Sequence, residues 1–325
     1  MTLSRRGFVP LAAIGALAAF ADAAWAQTYP SRPVRVIVAY APGGLTDVFG
    51  RLLAQKLSEH MGKQFYIENI TGASGNIGMA QAARAAPDGY TVLCAYSSYT
   101  VNPSLFDKIP YDPQKDFEPV TLAVTSPAVL SVNPSVPAKT VDELIALIKA
   151  NPGKYSFASA GAGTQSHLTA EQFRLKFNLD LVHVPFNGGG PAIAAVVAGH
   201  VPMSFVAPAP VVPHVKEGQL RALALAGKAR SQILPDVPTM AEIGYPDIEG
   251  ESWVGALVPA GTPQEIIATL NHEIAVVMKE QAMRESLATL GYEPVASTPH
   301  DFAERIRSEL DTWAKVIRAA NIKVN

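Results

Sequence analysis

Three glycine-rich segments carry the residues best suited to chemistry in this sequence. They are APGGLTD at 41–47, SAGAGTQSH at 159–167 and FNGGGP at 186–191. Each follows an apolar, β-branched run and precedes a stretch with helical spacing. Glycine lets the backbone approach a ligand closely, and a helix N-terminus offers free N–H groups and a partial positive charge. The three segments therefore favour the binding of an anion.

The residue types in these segments indicate which class of anion they could bind. None contains Lys or Arg, so an anion would be held by backbone amides and by the hydroxyls of Thr46, Ser159 and Thr164. This suits a carboxylate better than a polyphosphate, which normally recruits a basic side chain. For any one segment, glycine that serves only to make a tight turn remains an alternative. Three such segments in one chain favour binding.

Asp47 has two interpretations, which the sequence leaves open. As an acid in the first turn of a helix, it favours the helix dipole. It would also lie beside any ligand at 44–46, where a carboxylate repels an anion and accepts from an ammonium or hydroxyl.

Motifs for catalysis are incomplete. The spacing of Gly161 and Gly163 starts a dinucleotide-binding pattern, but Ser166 occupies the third glycine position, and Asn187 follows the next strand where a ribose-binding acid is needed. Neither a P-loop nor a G-x-S-x-G motif occurs. His167 with Ser159 or Ser166 and Asp47 could form a hydrolase triad, but nothing in the sequence aligns them.

No cofactor or metal is expected. The seven histidines show no metal-ligand spacing.

The elements that position these segments alternate as in βαβ units, which predicts an α/β fold. Strands are predicted at 34–40, 64–70, 90–96, 155–159, 181–186, 201–206, 220–226 and 292–296. Helices are predicted at 46–60, 76–86, 140–151, 165–177, 191–198, 263–280, 282–290 and from Thr298 onward. Residues 102–119 and the proline-rich 207–215 are predicted to be irregular.

Two similar α/β halves predict two lobes. The joins at 120–126 and 249–257 are apolar, strand-like segments and not Gly/Ser linkers. We therefore predict lobe 1 at 27–124 and 252–325, and lobe 2 at 125–251.

Charge and membrane patterns exclude several classes of protein. The 26 basic residues are scattered and balanced by 28 acidic ones, which argues against nucleic-acid binding. Residues 188–215 lack charge but contain five prolines, which argues against a membrane span. The lone cysteine, Cys94, lies in an apolar run and is predicted to be a buried thiol.

The N-terminus reads as an export signal. Residues 4–9 (SRRGFV) form a twin-arginine region, an uncharged stretch follows at 8–20, and Ala24-Trp25-Ala26 is a small-x-small cleavage site. The apolar stretch is shorter than the ~20 residues that span a bilayer. A signal peptide at 1–26 and release into the periplasm are expected, with an uncleaved anchor as the alternative.

A family resemblance adds to these inferences. The motifs that carry it run in order along nearly the whole mature chain: YPSRPVR at 29–35, APGG and TD within 41–47, PDGYT at 87–91, SAG, GT and SHL within 159–168, VPF at 184–186, GGGPA at 188–192, LPDVPT at 234–239 and EIGY at 242–245. They resemble the Bug family, the extracytoplasmic receptors of tripartite tricarboxylate transporters.

The resemblance implies a two-lobed Venus-flytrap periplasmic binding protein fold with two inter-lobe crossovers. A small carboxylate would be held between the lobes, partly through ordered water, and delivered to membrane permease subunits. The chain would be a monomer, would not be an enzyme and would not bind nucleic acid. The alternatives are a ligand-presenting partner of a periplasmic sensor kinase and a serine hydrolase.

The resemblance also implies a set of ligand-binding residues. They are Tyr40, Gly43, Gly44, Leu45, Thr46, Asp47, Ser97, Ser159, Gly163, Thr164, His167, Asn187, Gly188 and Ala207. Leu45, Asn187 and residues 203–205 depart from the common family pattern. These departures leave the identity of the carboxylate open, and Leu45 points to a more apolar one.

Overall fold

The computed structural model describes residues 29–323; the predicted signal peptide at 1–26 lies outside them. Helices and strands alternate from the start. In chain order they are β1 (Val34–Val38), α1 (Leu45–Met61), β2 (Phe65–Asn69), α2 (Asn76–Ala83), β3 (Thr91–Tyr96), α3 (Ser98–Leu105), β4 (Phe117–Pro127), β5 (Val129–Val132), α4 (Val141–Lys149), β6 (Tyr155–Ser159), α5 (Gln165–Phe177), β7 (Leu181–Pro185), α6 (Gly189–Val197), β8 (Met203–Val206), α7 (Pro208–Lys216), β9 (Arg221–Leu225), β10 (Glu251–Pro259), α8 (Gln264–Lys279), α9 (Gln281–Leu290), β11 (Glu293–Pro294) and α10 (Pro299–Ala319).

The first lobe is built on a six-stranded sheet in the order β11-β4-β10-β3-β1-β2. Strands β2, β1 and β3 run parallel, and β10 pairs antiparallel with both β3 and β4. Helix α1 buries Phe49, Leu53 and Leu57 against this sheet, since residues three to four apart share one helix face. The C-terminal helices α8 and α10 pack on β4 and complete this lobe.

The second lobe is built on a five-stranded sheet in the order β7-β6-β8-β5-β9. Strand β6 is parallel to β7 and β8, whereas β5 is antiparallel to β8 and β9. Phe157, Phe173 and Phe205 are fully buried at the centre of its core. In both lobes the parallel strands end at the same edge, so their βα turns are brought together.

Two adjacent strands connect the lobes. Strands β4 and β10 pair from Phe117↔Pro259 to Pro127↔Glu251, and only Ala128 separates β4 from β5. The Ala128 N–H donates to the Gly250 carbonyl at 2.8 Å, and the Gly250 N–H donates to Ala226 at 2.7 Å. The crossovers are thus hydrogen-bonded to each other. Strand β4 runs three residues past the predicted lobe boundary at 124.

Helix α10 also joins the lobes. Its Trp313, Val316 and Ile317 share a buried apolar cluster with Val101 of α3 and with Leu168 of α5 in the second lobe. Nearby, the Arg305 side chain of α10 is only 13% exposed and contacts Glu251 at 2.7 Å and Glu309 at 2.7 Å. This ion pair ties the start of crossover strand β10 to helix α10.

Three elements differ from the sequence-based prediction. Residues 207–215 were predicted to be a loop because of their prolines, but α7 forms there. Pro208 and Pro210 fall in its first turn, where no intrahelical N–H is needed, and only Pro213 removes a helical hydrogen bond. Helix α3 and the four-residue strand β5 were not predicted.

The uncharged segment at 188–215 contains α6, β8 and α7. Across residues 29–323, no helix combines the length and apolar character that crossing a bilayer requires. Cys94 is buried in β3, and burial raises the pKa of its thiol to about 12.

Candidate functional site

A cavity of about 760 Å³ lies between the lobes, at the edge where the parallel strands end. Lobe 1 contributes the end of β1 at Tyr40, the start of α1 and one side of α3. Lobe 2 contributes the turn at 162–166, the start of α6 and the end of β8. The crossovers form its floor through Ser126, Ala128 and Gly250. A ligand in this cavity would contact both lobes at once.

Five helices begin at this cavity: α1, α3, α5, α6 and α7. Their N-cap residues are Gly44, Ser97, Thr164, Gly188 and Ala207, and none of these described residues caps a backbone N–H of its helix with its side chain. The first-turn N–H groups are therefore left for water or a ligand, but α7 offers only that of Ala209, because Pro208 and Pro210 have no N–H.

Two helices that begin elsewhere show the contrast. The hydroxyl of Thr140 caps α4, and that of Thr298 caps α10. Both hydroxyls accept a backbone N–H three residues on, at 3.1 Å in each case. The helices that begin away from the cavity are thus mixed, because α4 and α10 have side-chain caps whereas α8 and α9 do not.

The cavity wall has no formal charge. Within the part of the chain that the structure describes, none of the lining residues is Asp, Glu, Lys, Arg or His. The field in the cavity is then dominated by the five helix N-termini, each equivalent to roughly half a positive charge. Such a site attracts an anion through main-chain groups. Apolar side chains, including Leu45, Leu105 and Phe205, complete the wall.

Six of the residues expected to bind ligand line this cavity: Tyr40, Leu45, Ser97, Gly163, Thr164 and Ala207. The other eight lie outside the lining: Gly43, Gly44, Thr46, Asp47, Ser159, His167, Asn187 and Gly188. Several of them form the turns that hold the lining residues in place.

Asp47 supports the first of these turns. Its side chain is 2% exposed, and it accepts hydrogen bonds from the Gly43 N–H at 2.9 Å, from Arg51 at 2.9 Å and from Asn69 at 2.8 Å. Burial opposes the charged carboxylate, but these three donors outweigh it and lower the pKa of Asp47. The carboxylate is therefore ionised and fully engaged in its own turn.

His167 supports the second turn. Its Nδ1 accepts the Gly163 N–H at 3.0 Å, and its ring stacks on His183 with centroids 3.7 Å apart. Burial, with smaller effects from His183 and Arg174, lowers the pKa of His167 from 6.5 to about 3. Burial also lowers the pKa of His183, to about 4. Both rings are neutral at physiological pH.

The hydroxyls of the second turn are likewise engaged in its own structure. Thr164 Oγ1 donates to the Gly161 carbonyl at 2.6 Å, and Ser166 Oγ accepts the Ala160 N–H at 2.8 Å. Ser159 is fully buried, and its Oγ lies 2.6 Å from Nε2 of His183. The triad drawn from His167, Asp47 and a serine is not assembled.

Other lining residues were missed by sequence reasoning. Ser74, Ser98, Asn102, Gln165 and Phe205 all line the cavity. Ser98 bonds the Tyr40 hydroxyl, and Asn102 Nδ2 donates to the Ser74 carbonyl at 2.9 Å. Residues 98–102 carried no recognisable motif, whereas Gln165 was adjacent to a glycine-rich turn. Among residues 29–323 there is no cluster of three or more potential metal ligands.

Two α/β lobes, two crossover strands and an uncharged inter-lobe cavity define a solute-binding protein. Comparison with known proteins supports the same class. Residues 49–322 match the family described as "Tripartite tricarboxylate transporter family receptor". The chain belongs to this family and is a solute-binding receptor, and the expected two-lobed fold is confirmed.

The relatives are similar over nearly their full length. Protein BugT of Bordetella pertussis is 39% identical over 319 residues, which are 97% of this chain and 98% of BugT. Among solved structures, R. palustris Rpa4515 with adipate is 32% identical, with a TM-score of 0.74 and coverage of 91% of this chain and 100% of that one. MatC from Rhodopseudomonas palustris with bound malate is 32% identical, with a TM-score of 0.70 and coverage of 89% and 100%.

Proposed function

We propose that this protein is a periplasmic receptor that captures a small carboxylate between its lobes and delivers it to the membrane permease subunits of a tripartite tricarboxylate transporter. The observation that carries this proposal is the convergence of five helices without side-chain caps on an uncharged inter-lobe cavity. Main-chain N–H groups and helix dipoles stabilise a carboxylate without a basic side chain. The malate and adipate bound by two relatives are both carboxylates.

The receptor acts by binding and not by turnover. Ser159, whose Oγ lies closest to a histidine in this region, is fully buried and outside the cavity lining. No general base therefore faces the ligand from the second turn. Each chain contains both lobes of one site, which supports a monomer as the working unit.

The proposed function requires export of the protein to the periplasm. The signal at 1–26 lies outside the described residues, so its test is biochemical. Replacing Arg5 and Arg6 with Lys should leave the precursor in the cytoplasm if the twin-arginine route is used. Unchanged yield in the periplasm would assign export to the general secretory route.

A charge placed in the cavity tests the site. Leu45 lines the cavity at the first position of α1 and is 46% exposed. Leu45→Asp would put a carboxylate at that helix N-terminus, where it repels and replaces an anionic ligand. Val48→Asp is the matched control, because Val48 is 39% exposed on the same helix but does not line the cavity.

The measurement is calorimetric titration with the carboxylic acids that raise the melting temperature of the wild-type protein. We expect Leu45→Asp to weaken binding by at least tenfold, about 1.4 kcal/mol, and Val48→Asp to leave it near the wild-type value. The neutral amide of each acid should not bind, and each acid should be recovered intact. Wild-type affinity in Leu45→Asp, or turnover of the acid, would refute the proposal.

A further inference from the structure

Neighbouring residues of the two crossovers face different cavities. The inter-lobe cavity described above, here the ligand cavity, is lined by Ser126, Ala128, Gly250 and Ser252. A second cavity of about 550 Å³, here the rear cavity, is lined by the alternate residues Thr125, Pro127 and Glu251. Because successive side chains of a strand point to opposite faces of its sheet, the two cavities lie on opposite sides of the crossovers.

Both lobes line the rear cavity. Lobe 2 contributes the loop at 228–232, which follows β9. Lobe 1 contributes the segment at 293–297 and the first turns of α10, at Asp301 and Arg305. The lobes therefore face each other behind the crossovers as well as across the ligand cavity.

Glu293 bridges the lobes at the rear cavity. It pairs with Thr125 in the antiparallel ladder of β11 and β4, so its side chain lies on the rear face with that of Thr125. Its Oε1 accepts the hydroxyl of Ser231 at 2.7 Å and the backbone N–H of Gln232 at 3.0 Å. A carboxylate of lobe 1 thus accepts two hydrogen bonds from lobe 2, and bonds to a charged acceptor are stronger than those between neutral groups.

The positions of the two cavities relate these bonds to the closure of the lobes. The ligand cavity, at about 760 Å³, has the size of a site for a drug-sized molecule, so the lobes enclose a small acid only by approaching each other. A rotation about the crossovers that narrows the ligand cavity widens the rear cavity, because the two lie on opposite sides of the hinge. Closure therefore moves the loop at 228–232 away from Glu293.

We propose that Glu293 is a positioning residue that favours the open arrangement of the lobes, and that its bonds to Ser231 and Gln232 oppose ligand binding from outside the ligand cavity. This inference rests on the proposed function. Binding must separate these groups, and the apparent affinity falls with the population of the arrangement that binds. Loss of the bonds should therefore tighten binding, although Glu293 does not line the ligand cavity.

Substitutions on both sides of the contact test this proposal. Glu293→Ala removes the acceptor, and Ser231→Ala removes one of its two donors. Glu293→Gln keeps an accepting oxygen but loses the charge. Glu118→Ala is the matched control, because Glu118 is, like Glu293, a half-buried glutamate in a strand of the same sheet, and it lines neither cavity.

The first measurement is calorimetric titration with malate, adipate and every other carboxylic acid that raises the melting temperature of the wild-type protein. We expect Glu293→Ala to bind these acids at least about fivefold more tightly, and Ser231→Ala to show a smaller gain in the same direction. The double variant should match Glu293→Ala, because both substitutions break the same contact. Glu293→Gln should lie nearer the wild type, and Glu118→Ala should equal it.

The direction of the change separates this role from a purely structural one. Removal of a contact that only stabilises the fold would lower the free energy of unfolding and would not tighten binding. Unchanged or weaker binding by Glu293→Ala, or equal tightening by Glu118→Ala, would refute the proposal.

Solution scattering of the ligand-free proteins distinguishes failure of this inference from failure of the proposed function. Glu293→Ala should have a smaller mean radius of gyration than the wild type, because its lobes close more often. If no acid binds to any of the proteins, the proposed function fails, and the scattering alone decides the role of Glu293. An unchanged radius of gyration would refute that role in either case.

Discussion

The stacked histidines His167 and His183 predict that the protein loses stability in mildly acidic solution. In the folded protein the pKa of His167 is about 3, whereas the unfolded chain has the ordinary value of 6.5. Below pH 6.5, His167 is therefore protonated in the unfolded state and still neutral in the folded state. The free energy of unfolding is therefore at its full value above pH 6.5 and decreases as the pH falls from 6.5 toward 3.

The size of the effect follows from the shift. At pH 5 the unfolded His167 is almost fully protonated and the folded one is not. The difference of 1.5 units between pH 6.5 and pH 5 corresponds to about 2 kcal/mol at about 1.36 kcal/mol per unit. For a protein of this length, that is a fall in melting temperature of roughly 4 °C. His183, which is half-buried, adds to it.

The assay compares urea unfolding at pH 7 and pH 5 for the wild type and for His167→Asn. An asparagine oxygen can accept the Gly163 N–H in place of Nδ1, but it does not titrate. We expect the wild type to lose about 2 kcal/mol more than the variant between the two pH values. His272→Asn, at an exposed position of α8, is the control and should behave as the wild type. Equal losses in the wild type and His167→Asn would refute the reasoning.

Three further substitutions test contacts at the crossover and at helix α10, and each is measured by urea unfolding. Gly250→Ala would place a Cβ 2.0 Å from Oγ1 of Thr169 at the crossover, so we expect a loss of about 1–3 kcal/mol that Thr169→Ala partly restores. Arg305→Met leaves two carboxylates, 8% and 13% exposed, without their cation and should cost about 3 kcal/mol or more; a loss below 1 kcal/mol would show that the ion pair is not structural. Thr298→Ala removes the N-cap of α10 and should cost about 1 kcal/mol, and an unchanged midpoint would argue against that cap.

Local signals explain which elements could be predicted. The helix at 165–177 was predicted with its observed bounds, and a glycine-rich turn precedes it. The cap of α4 by Thr140 was also confirmed. Helix α7 was predicted to be a loop, because proline marks the end of a helix as well as its first turn, and the sequence does not say which.

Long-range pairing explains the rest. Ser159 faces His183 because β6 and β7 are neighbouring parallel strands, whereas sequence proximity suggested His167 as its partner. In the same way, Ser98 and Asn102 of α3 reach the cavity only because α3 follows β3 at the shared edge of the sheet. The glycine-rich turns indicated where the site lies, and the strand order decided which side chains line it.

The helix N-termini at the cavity have a consequence for how such receptors diversify. Their N–H groups belong to the main chain, so no side-chain replacement other than proline removes one of them. Side chains that shape the wall, such as Leu45, Gln165 and Phe205, can change by ordinary point mutation while the attraction for an anion is retained. Descendants of one ancestral receptor can therefore change their ligand specificity one substitution at a time. Each intermediate form still binds carboxylates.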